Sequence, residues 1–320
     1  MNGLIRPQGY RDREKQCEEE FLRSSPFWFV TAGKQPRSVF SSREDYVAGV
    51  NAAAVASARS GARVYMDVYM SNHGHWLLGG SLALAEDFFD IWRVCLWNYE
   101  RSKGMKSDLR RWEAQFSEVE DLAAFRNCSA YIARNGYLAM KDVTPFGYEW
   151  CSADLFFNGH LKDLDPGVPY STLTRDAKRR LCRSSEVELP DGYRVRNGLI
   201  TRESYIVLPG VEAMFNSGSQ YFNKLARNAE ADMVISHMVG ETIMIPDDEM
   251  FAIVAQWARR DLGVEAGLKG LNPDQRIELA RRMHNEYNSD NRQIAQILRL
   301  PRDAVDRMYR ATPRAMPKME

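Results

Sequence analysis

The order of apolar patterns between residues 27 and 135 limits most strongly how this chain can fold. Runs that alternate or are rich in aromatic and β-branched residues predict strands at 27–31, 63–70, 73–78 and 112–119. Apolar spacing near 3.6 residues predicts helices at 44–60, 82–101 and 121–135. The resulting order is β-α-β-β-α-β followed by a helix, which is the ferredoxin-like arrangement. Such a sheet leaves one face open to a ligand.

Beyond residue 160 the pattern changes, and we expect an α+β protein in three parts. Residues 1–160 hold the ferredoxin-like βαββαβ arrangement. Residues 161–245 form a mixed extension, which begins near the turn-rich segment 163–169 and has a hairpin around Pro190–Gly192. Residues 246–320 are mostly helical.

The C-terminal part resembles a helix-turn-helix. Helix-start signals at Asn272-Pro273, Ser289-Asp290 and Pro301 divide it into three helices, the last rich in arginine. Apolar packing is expected from Ile294, Ile297, Leu298, Val305 and Met308. Basic side chains that could contact DNA are Arg292, Arg299, Arg302 and Arg307. The alternative is a generic three-helix bundle or a module that docks a protein partner.

The composition excludes several classes of protein. Lys plus Arg and Asp plus Glu both number 43, so a surface for a polyanion would have to arise from local clustering. The five cysteines are widely spaced and contain no Cys-x-x-Cys motif, which favours free thiols in a reducing cytosol. The charged N-terminus is unlike a signal peptide, and no apolar run is long enough to span a bilayer.

His73 and His75 are the first candidate site residues. On a strand, residues two apart point to the same side, with Cα atoms roughly 7 Å apart, so both imidazoles can reach one metal ion. The alternative is a polar pair on a surface strand without a ligand.

Tyr131 and Asn135 are the second pair, four residues apart and therefore on one face of the last predicted helix. If that helix crosses the open face of the sheet, His73, His75 and Asn135 supply three metal ligands, and Tyr131 lies one turn away as a nucleophile. The alternative is ordinary packing with a helix C-cap. Trp76 and Trp112 are candidates for stacking on unpaired bases.

Three segments in this order resemble the HUH-type single-tyrosine transposases, and more narrowly the REP-associated tyrosine transposases and their insertion-sequence relatives. The segments are MSNHGHWLL at 70–78, AYIARNGYLA at 130–139 and EWCS at 149–152. The resemblance covers roughly residues 25–160. Longer bacterial members also carry a C-terminal helix-turn-helix.

The resemblance implies cleavage of single-stranded DNA by Tyr131 through a 5′-phosphotyrosine, followed by strand transfer. Mg²⁺ or Mn²⁺ on His73, His75 and Asn135 would polarise the phosphate. The implied partners are single-stranded or hairpin DNA and a second copy in a homodimer, without a membrane. The implied location is the bacterial cytoplasm, at the nucleoid.

Two positions depart from the family pattern. Gly74 stands between the histidines where a bulky apolar residue is usual, and Gly136 follows Asn135 where proline is usual. Gly74 therefore favours an alternative, a DNA-binding regulatory or structural protein on a decayed HUH scaffold. A domesticated host protein that cuts repeats without moving itself would share the same chemistry.

Overall fold

Helices and antiparallel strands both occur along the chain, which confirms the α+β class. The computed structural model of the protein describes residues 8–139, 146–184, 188–227, 247–287 and 289–309. Contacts divide the chain into a first unit, Met1–Ala231, and a second unit, Asp232–Glu320. The predicted boundary at residue 245 lies outside the described residues.

A four-stranded antiparallel sheet is the centre of the first unit. Its strands are β1 (Phe27–Ala32), β2 (Arg63–Tyr69), β3 (Gly74–Gly79) and β4 (Ala114–Glu118). The spatial order is β2-β3-β1-β4, and each neighbouring pair is antiparallel. The two central strands are therefore β1 and β3, and the strand that carries His75 lies between two neighbours.

Helices cover both faces of this sheet. On one face, α2 (Arg43–Ser60) and α3 (Leu82–Ser102) pack together, and Trp76 of β3 contacts rings of α3. On the other face, Phe125 of α4 (Leu122–Ala139) contacts Phe27. Alternation along the strands thus sends adjacent side chains into two different cores.

Helix α2 begins and ends at strong capping residues. Ser42 and Asp45 form a capping box, and Gly61 ends the helix at a positive φ of 77°, which glycine adopts without strain. The Asp45 carboxylate also accepts hydrogen bonds from Tyr99 and Lys103, both at 2.8 Å. Asp45 therefore joins the start of α2 to the end of α3.

A helix that the sequence patterns did not predict precedes the sheet. This helix, α1 (Gln8–Ser24), buries Cys17 and Phe21, and the Phe21 ring lies 5.1 Å from that of Phe27. The charged sequence of the N-terminal segment hides this narrow apolar side.

The extension after residue 160 belongs largely to the first unit. It contains a small sheet of β5 (Val168–Pro169), β6 (Arg194–Arg196) and β7 (Leu199–Ile200), and helices α5 (Arg175–Cys182), α6 (Leu208–Ala213) and α7 (Gly218–Arg227). Short 3₁₀ turns occur in the extension at Leu161–Asp163, Tyr170–Thr172 and Arg202–Ser204, and before it at Leu109–Arg111 and Ala153–Leu155.

The predicted hairpin is present, but its turn is at Asn197-Gly198, not at Pro190–Gly192. Both turn residues have positive φ, 52° and 79°, as a two-residue type I′ turn requires. The prediction placed the turn wrongly because it followed the proline. The paired strands are joined instead by Asn-Gly, whose type I′ turn matches their twist.

The extension is attached to β2 through a buried ion pair. Arg202 donates to the carboxylate of Asp67 at 3.1 Å, and Tyr205 donates to it at 2.8 Å. Next to them, Ile206 forms a parallel bridge with Val64. This segment therefore completes the edge of the main sheet.

The second unit is helical. It contains α8 (Asp247–Arg260), α9 (Pro273–Tyr287), α10 (Asn291–Leu298), α11 (Arg302–Met308) and a 3₁₀ turn, Gly267–Gly270. Of the predicted packing residues, Ile294, Ile297, Leu298 and Val305 are buried. Met308 is an exception: it is 39% exposed, because it is the last residue of α11.

Two further predictions concern the cysteines and the membrane-spanning segments. Cys17, Cys95, Cys128, Cys151 and Cys182 are all free and buried. Among the described residues, no helix has both the length and the apolar character needed to cross a membrane.

Candidate functional site

His75 lies in the middle of the main sheet, on the face covered by α4. It is opposite Thr31 of β1 and Val68 of β2, and its side chain is completely buried. Trp76, the next residue, points to the α2–α3 face because side chains alternate along a strand. The strand thus presents one histidine to the α4 side and a core tryptophan to the other.

His73 lies just before β3, not within it as the sequence predicts. A tight turn holds it, because the Met70 amide donates to the His73 carbonyl at 2.9 Å. The two imidazole centroids are 5.0 Å apart and the rings are nearly perpendicular, at 85°. The predicted histidine pair therefore converges, although only one member is on the strand.

A neighbouring side chain orients the ring of His73. Its Nδ1 lies 2.8 Å from Oδ1 of Asn72. An amide oxygen only accepts, so Nδ1 carries the hydrogen and the lone pair of the neutral ring is on Nε2. Metal-binding histidines are commonly oriented in this way by a hydrogen bond to the other ring nitrogen.

The surroundings of His75 keep its ring neutral. Its Nδ1 is 3.1 Å from the Thr31 hydroxyl, and the Phe29 ring stacks on it at 5.7 Å and 12°. Burial lowers the pKa of His75 to about 3, with a smaller contribution from the charge of Lys34. A neutral imidazole is the form that can coordinate a metal.

Tyr131 lies on α4 directly against this histidine. Its ring centroid is 5.2 Å from that of His75 and 5.5 Å from that of Phe29, in edge-to-face contacts. The side chain is 1% exposed. His73, His75 and Tyr131, here called the imidazole–phenol cluster, come together as the sequence predicts.

Asn135 follows Tyr131 by one helical turn and is half-buried. Its side-chain NH₂ donates to the Tyr131 carbonyl at 3.2 Å, which leaves the amide oxygen as the group able to bind a cation. The structure thus fixes Asn135 to the same helix as Tyr131. Gly136 does not end the helix, because α4 continues to Ala139.

The donor set fits an open site for a hard divalent cation better than a closed zinc site. Among the described residues, no cluster of three or more His, Cys, Asp or Glu side chains is placed to hold a metal. A metal here would use two imidazoles and an amide oxygen, with water or phosphate in the remaining positions. The two imidazoles would equally suit zinc, whereas the amide oxygen and the open positions for water or phosphate are the features that Mn²⁺ or Mg²⁺ would prefer.

Gly74 has a packing role between the two histidines. A Cβ at this position would lie 2.9 Å from the Trp76 ring and 3.3 Å from the Val68 carbonyl oxygen. Trp76 is wedged against Trp92, with ring centroids 4.5 Å apart. The indole therefore occupies the space that a bulky residue at 74 would need.

The two tryptophans predicted to stack on bases are core residues instead. Trp76 is 0% exposed and Trp112 is 3% exposed. The Trp112 indole N–H donates to the Gly33 carbonyl at 2.6 Å. Neither ring offers a face to a nucleotide, because the α2–α3 layer covers both. The prediction that they stack on unpaired bases is therefore wrong.

Three of the four arginines predicted for DNA contact have acidic neighbours. Arg302 pairs with Asp306 at 3.0 Å and Arg307 with Asp303 at 3.0 Å, both along α11. Arg292 lies 3.5 Å from Asp247. All three remain exposed, but their charge is partly compensated. Arg299 differs, because it makes no ion pair with the described residues.

Sequence reasoning missed Thr31, Phe29 and Asn72 as supports of the cluster. The alternation in FWFVT places Phe29 and Thr31 on one face of β1. Their contact with His75 depends on the β1–β3 register, which the pattern of one strand does not contain.

Comparison of the chain with known protein-family models, curated proteins and solved structures finds no match. The function of the chain is therefore inferred from the geometry of the site. That geometry combines two imidazoles, a phenol packed on one of them, and an amide one turn along the same helix.

Proposed function

We propose that the first unit is a ferredoxin-like HUH nuclease domain that cuts single-stranded DNA and transfers the strand. The observation that carries the proposal is the contact of Tyr131 with His75, whose ring faces that of His73. These residues are far apart in sequence, and the sheet and α4 bring them together. The strand order β2-β3-β1-β4 is the order of a ferredoxin-like sheet and supports the same proposal.

The proposed reaction exchanges one phosphate ester for another. The Tyr131 oxygen attacks a backbone phosphorus, an O–P bond forms, and the bond from phosphorus to the 3′-oxygen breaks. The phenol loses one proton and the released 3′-hydroxyl gains one, so no co-reactant is needed. Attack by another 3′-hydroxyl on the 5′-phosphotyrosine reverses these steps and joins strands.

Residues of the cluster have distinct roles in this scheme. His73, His75 and Asn135 would hold Mg²⁺ or Mn²⁺, which supplies Lewis-acid polarisation of the phosphate. Thr31 and Asn72 orient the two imidazoles through the hydrogen bonds described above. Phe29 packs against both His75 and Tyr131 and sets their separation.

Positive charge near the imidazole–phenol cluster supports a phosphate-bearing substrate. Lys34 is close enough to lower the pKa of His75, whose burial is the main cause of the shift. At the end of α3, in the helix layer of the opposite sheet face, the guanidinium groups of Arg101 and Arg110 lie 4.6 and 4.2 Å from the Trp97 ring centre. Cations beside an aromatic ring are typical of surfaces that bind single strands.

Trapping a covalent adduct tests the proposal. The chain is incubated with hairpin-bearing single-stranded DNA and Mn²⁺, and adducts are separated on a denaturing gel. We expect adducts from the wild type and from Tyr65→Phe, a buried tyrosine on the same face that packs on Phe125. Tyr131→Phe should form none. Adducts at the wild-type level in Tyr131→Phe would disprove the nucleophile, and full activity in His73→Ala with His75→Ala would disprove the metal ligands.

A second candidate is a DNA-binding regulatory or structural factor on the same scaffold. It is favoured by the burial of the phenol and of His75, which are 1% and 0% exposed. A factor of this kind would shift the mobility of DNA in a native gel without forming an adduct. A homodimer is a further proposal, which the mass in solution tests.

A further inference from the structure

The second unit contains a pocket that is lined by several cationic side chains. The cavity measures about 250 Å³ and lies among α8, the Gly267–Gly270 turn and the end of α10. Apolar side chains, among them Phe251 and Leu268, line it. Four cationic side chains complete the lining: Arg259, Lys269, Arg276 and Arg299. We call this the cationic pocket.

The charge of the cationic pocket is not balanced by nearby acids. Within the part of the second unit that the structure describes, no carboxylate lines it. In the same described part, Arg259, Lys269 and Arg299 make no ion pair and are exposed. The arginines on α11 are different, because each has an aspartate one turn away. Uncompensated cations around a concavity attract an anion more strongly than cations already paired.

The pocket is also held in shape before any ligand arrives. Arg276 donates to the main-chain carbonyls of Leu268 and Leu298, which ties the 3₁₀ turn to the end of α10. Arg299 has a left-handed backbone conformation, φ 52°, as the residue that ends α10. Its position follows from the helix end and does not depend on a flexible loop. A fixed cavity of this kind reduces the ordering cost of binding.

We propose that the cationic pocket binds a backbone phosphate of DNA, with the adjoining sugar against Phe251. The cavity is smaller than those that take drug-sized ligands, so a single phosphate with its sugar is the fitting unit. Phe251 is 52% exposed and provides the apolar surface beside the cations. The DNA contact of this unit is therefore centred on α8 and the end of α10, and the paired arginines of α11 lie outside it. The proposal does not depend on Tyr131 chemistry.

Salt-dependent binding tests this proposal in the full chain. A fluorescein-labelled DNA duplex is titrated by anisotropy with EDTA present and with Tyr131→Phe in every protein, so that cleavage plays no part. The pocket variant carries Arg259→Gln, Lys269→Gln and Arg299→Gln. The matched control carries Arg292→Gln, Arg302→Gln and Arg307→Gln, three exposed arginines of the same unit with acidic neighbours.

We expect the pocket variant to bind the duplex at least about 10-fold more weakly, with the slope of log K against log salt reduced by roughly 2 to 3. The control should change the affinity less than about 3-fold, because its cations are already compensated. Unchanged circular dichroism would show that both variants fold. An equal or larger loss in the control would overturn the proposal, as would a pocket variant that binds like the parent. Tighter binding of ATP or inorganic phosphate than of DNA would assign the pocket to a free phosphate ligand and would also overturn it.

Discussion

The two faces of the main sheet bury polar groups in different ways. On the face covered by α2 and α3, the carboxylate of Asp67 receives hydrogen bonds from Arg202, Tyr69 and Tyr205. On the face covered by α4, the imidazole–phenol cluster mostly contacts aromatic rings. Asp67 is therefore a buried charge within a set of hydrogen-bond donors, whereas His75 and Tyr131 are buried mainly among rings.

This difference distinguishes buried polar groups that stabilise the fold from those that we propose take part in the reaction. A buried carboxylate is tolerated only when donors and a counter-charge surround it, so it fixes its neighbours. A neutral imidazole or phenol among aromatic rings has a much smaller desolvation cost, so a substitution that keeps the ring and removes only a polar atom leaves no buried charge behind. We therefore expect mutations on the Asp67 side to act on folding and mutations in the imidazole–phenol cluster to act on activity.

The largest expected effect is that of Asp67→Asn. The substitution leaves Arg202 buried without its counter-charge, which should lower the free energy of unfolding by about 3 to 5 kcal/mol. Urea denaturation followed by circular dichroism measures this. Asp67→Asn combined with Arg202→Met should recover part of the loss. Glu149→Gln, which removes an exposed pair with Arg43, should change stability by less than about 1 kcal/mol. A loss below that level in Asp67→Asn would remove the distinction between the two faces.

An intermediate effect is expected at Asp45, in the α2–α3 layer. Partial burial alone would raise its pKa, but hydrogen bonds from Lys103, Tyr99 and the amides of Ser41 and Ser42 outweigh burial and lower the pKa. Since the folded pKa is below the unfolded value of about 3.9, the stabilisation is complete above that pH and is lost as the pH falls below about 4.

Asp45→Asn should therefore cost about 1 to 2 kcal/mol at pH 7 and progressively less as the pH falls below 4. Urea unfolding of both proteins at pH 7 and pH 3 measures the change. A difference that stays constant over this range would show that the charge of Asp45 is not what stabilises the layer.

The smallest expected effect on stability is that of Tyr131→Phe. The ring contacts with His75 and Phe29 remain and only a hydroxyl is removed, so the free energy of unfolding should change by less than about 1.5 kcal/mol. The same variant should lose all covalent adduct. A large loss of stability together with the loss of adducts would mean that the phenol has a structural role as well.

Local patterns were sufficient for most elements of the sheet. The strands at 27–31 and 63–70 and the capped helix after Ser42 follow from alternation, helical spacing and cap residues, which are local properties. Helix α1 was missed because its apolar side is narrow and its sequence is highly charged. The Asn197-Gly198 turn was visible in the sequence, because Asn-Gly between apolar residues is a strong hairpin signal, but the prediction followed the proline-containing segment nearby.

Exposure was harder to predict than secondary structure. The aromatic character of Trp76 and Trp112 is visible in the sequence, but whether a ring faces solvent depends on which helices cover its face of the sheet. Likewise, the arginines of α11 form an obvious basic pattern, and only the placement of Asp303 and Asp306 shows that their charge is compensated.

The sequence by itself determined that His73 and His75 are close to each other and that Tyr131 and Asn135 share a helix face, because both relations span at most four residues of the chain. Only the tertiary structure decided that Tyr131 packs on His75, since this contact requires α4 on one particular face of the sheet and a fixed register between β1 and β3. It also decided that Gly74 makes room for Trp76, and that four cations from α8, the 3₁₀ turn, α9 and the end of α10 surround one pocket. Contacts over long sequence separations depend on packing of the whole core, and local periodicity does not specify them.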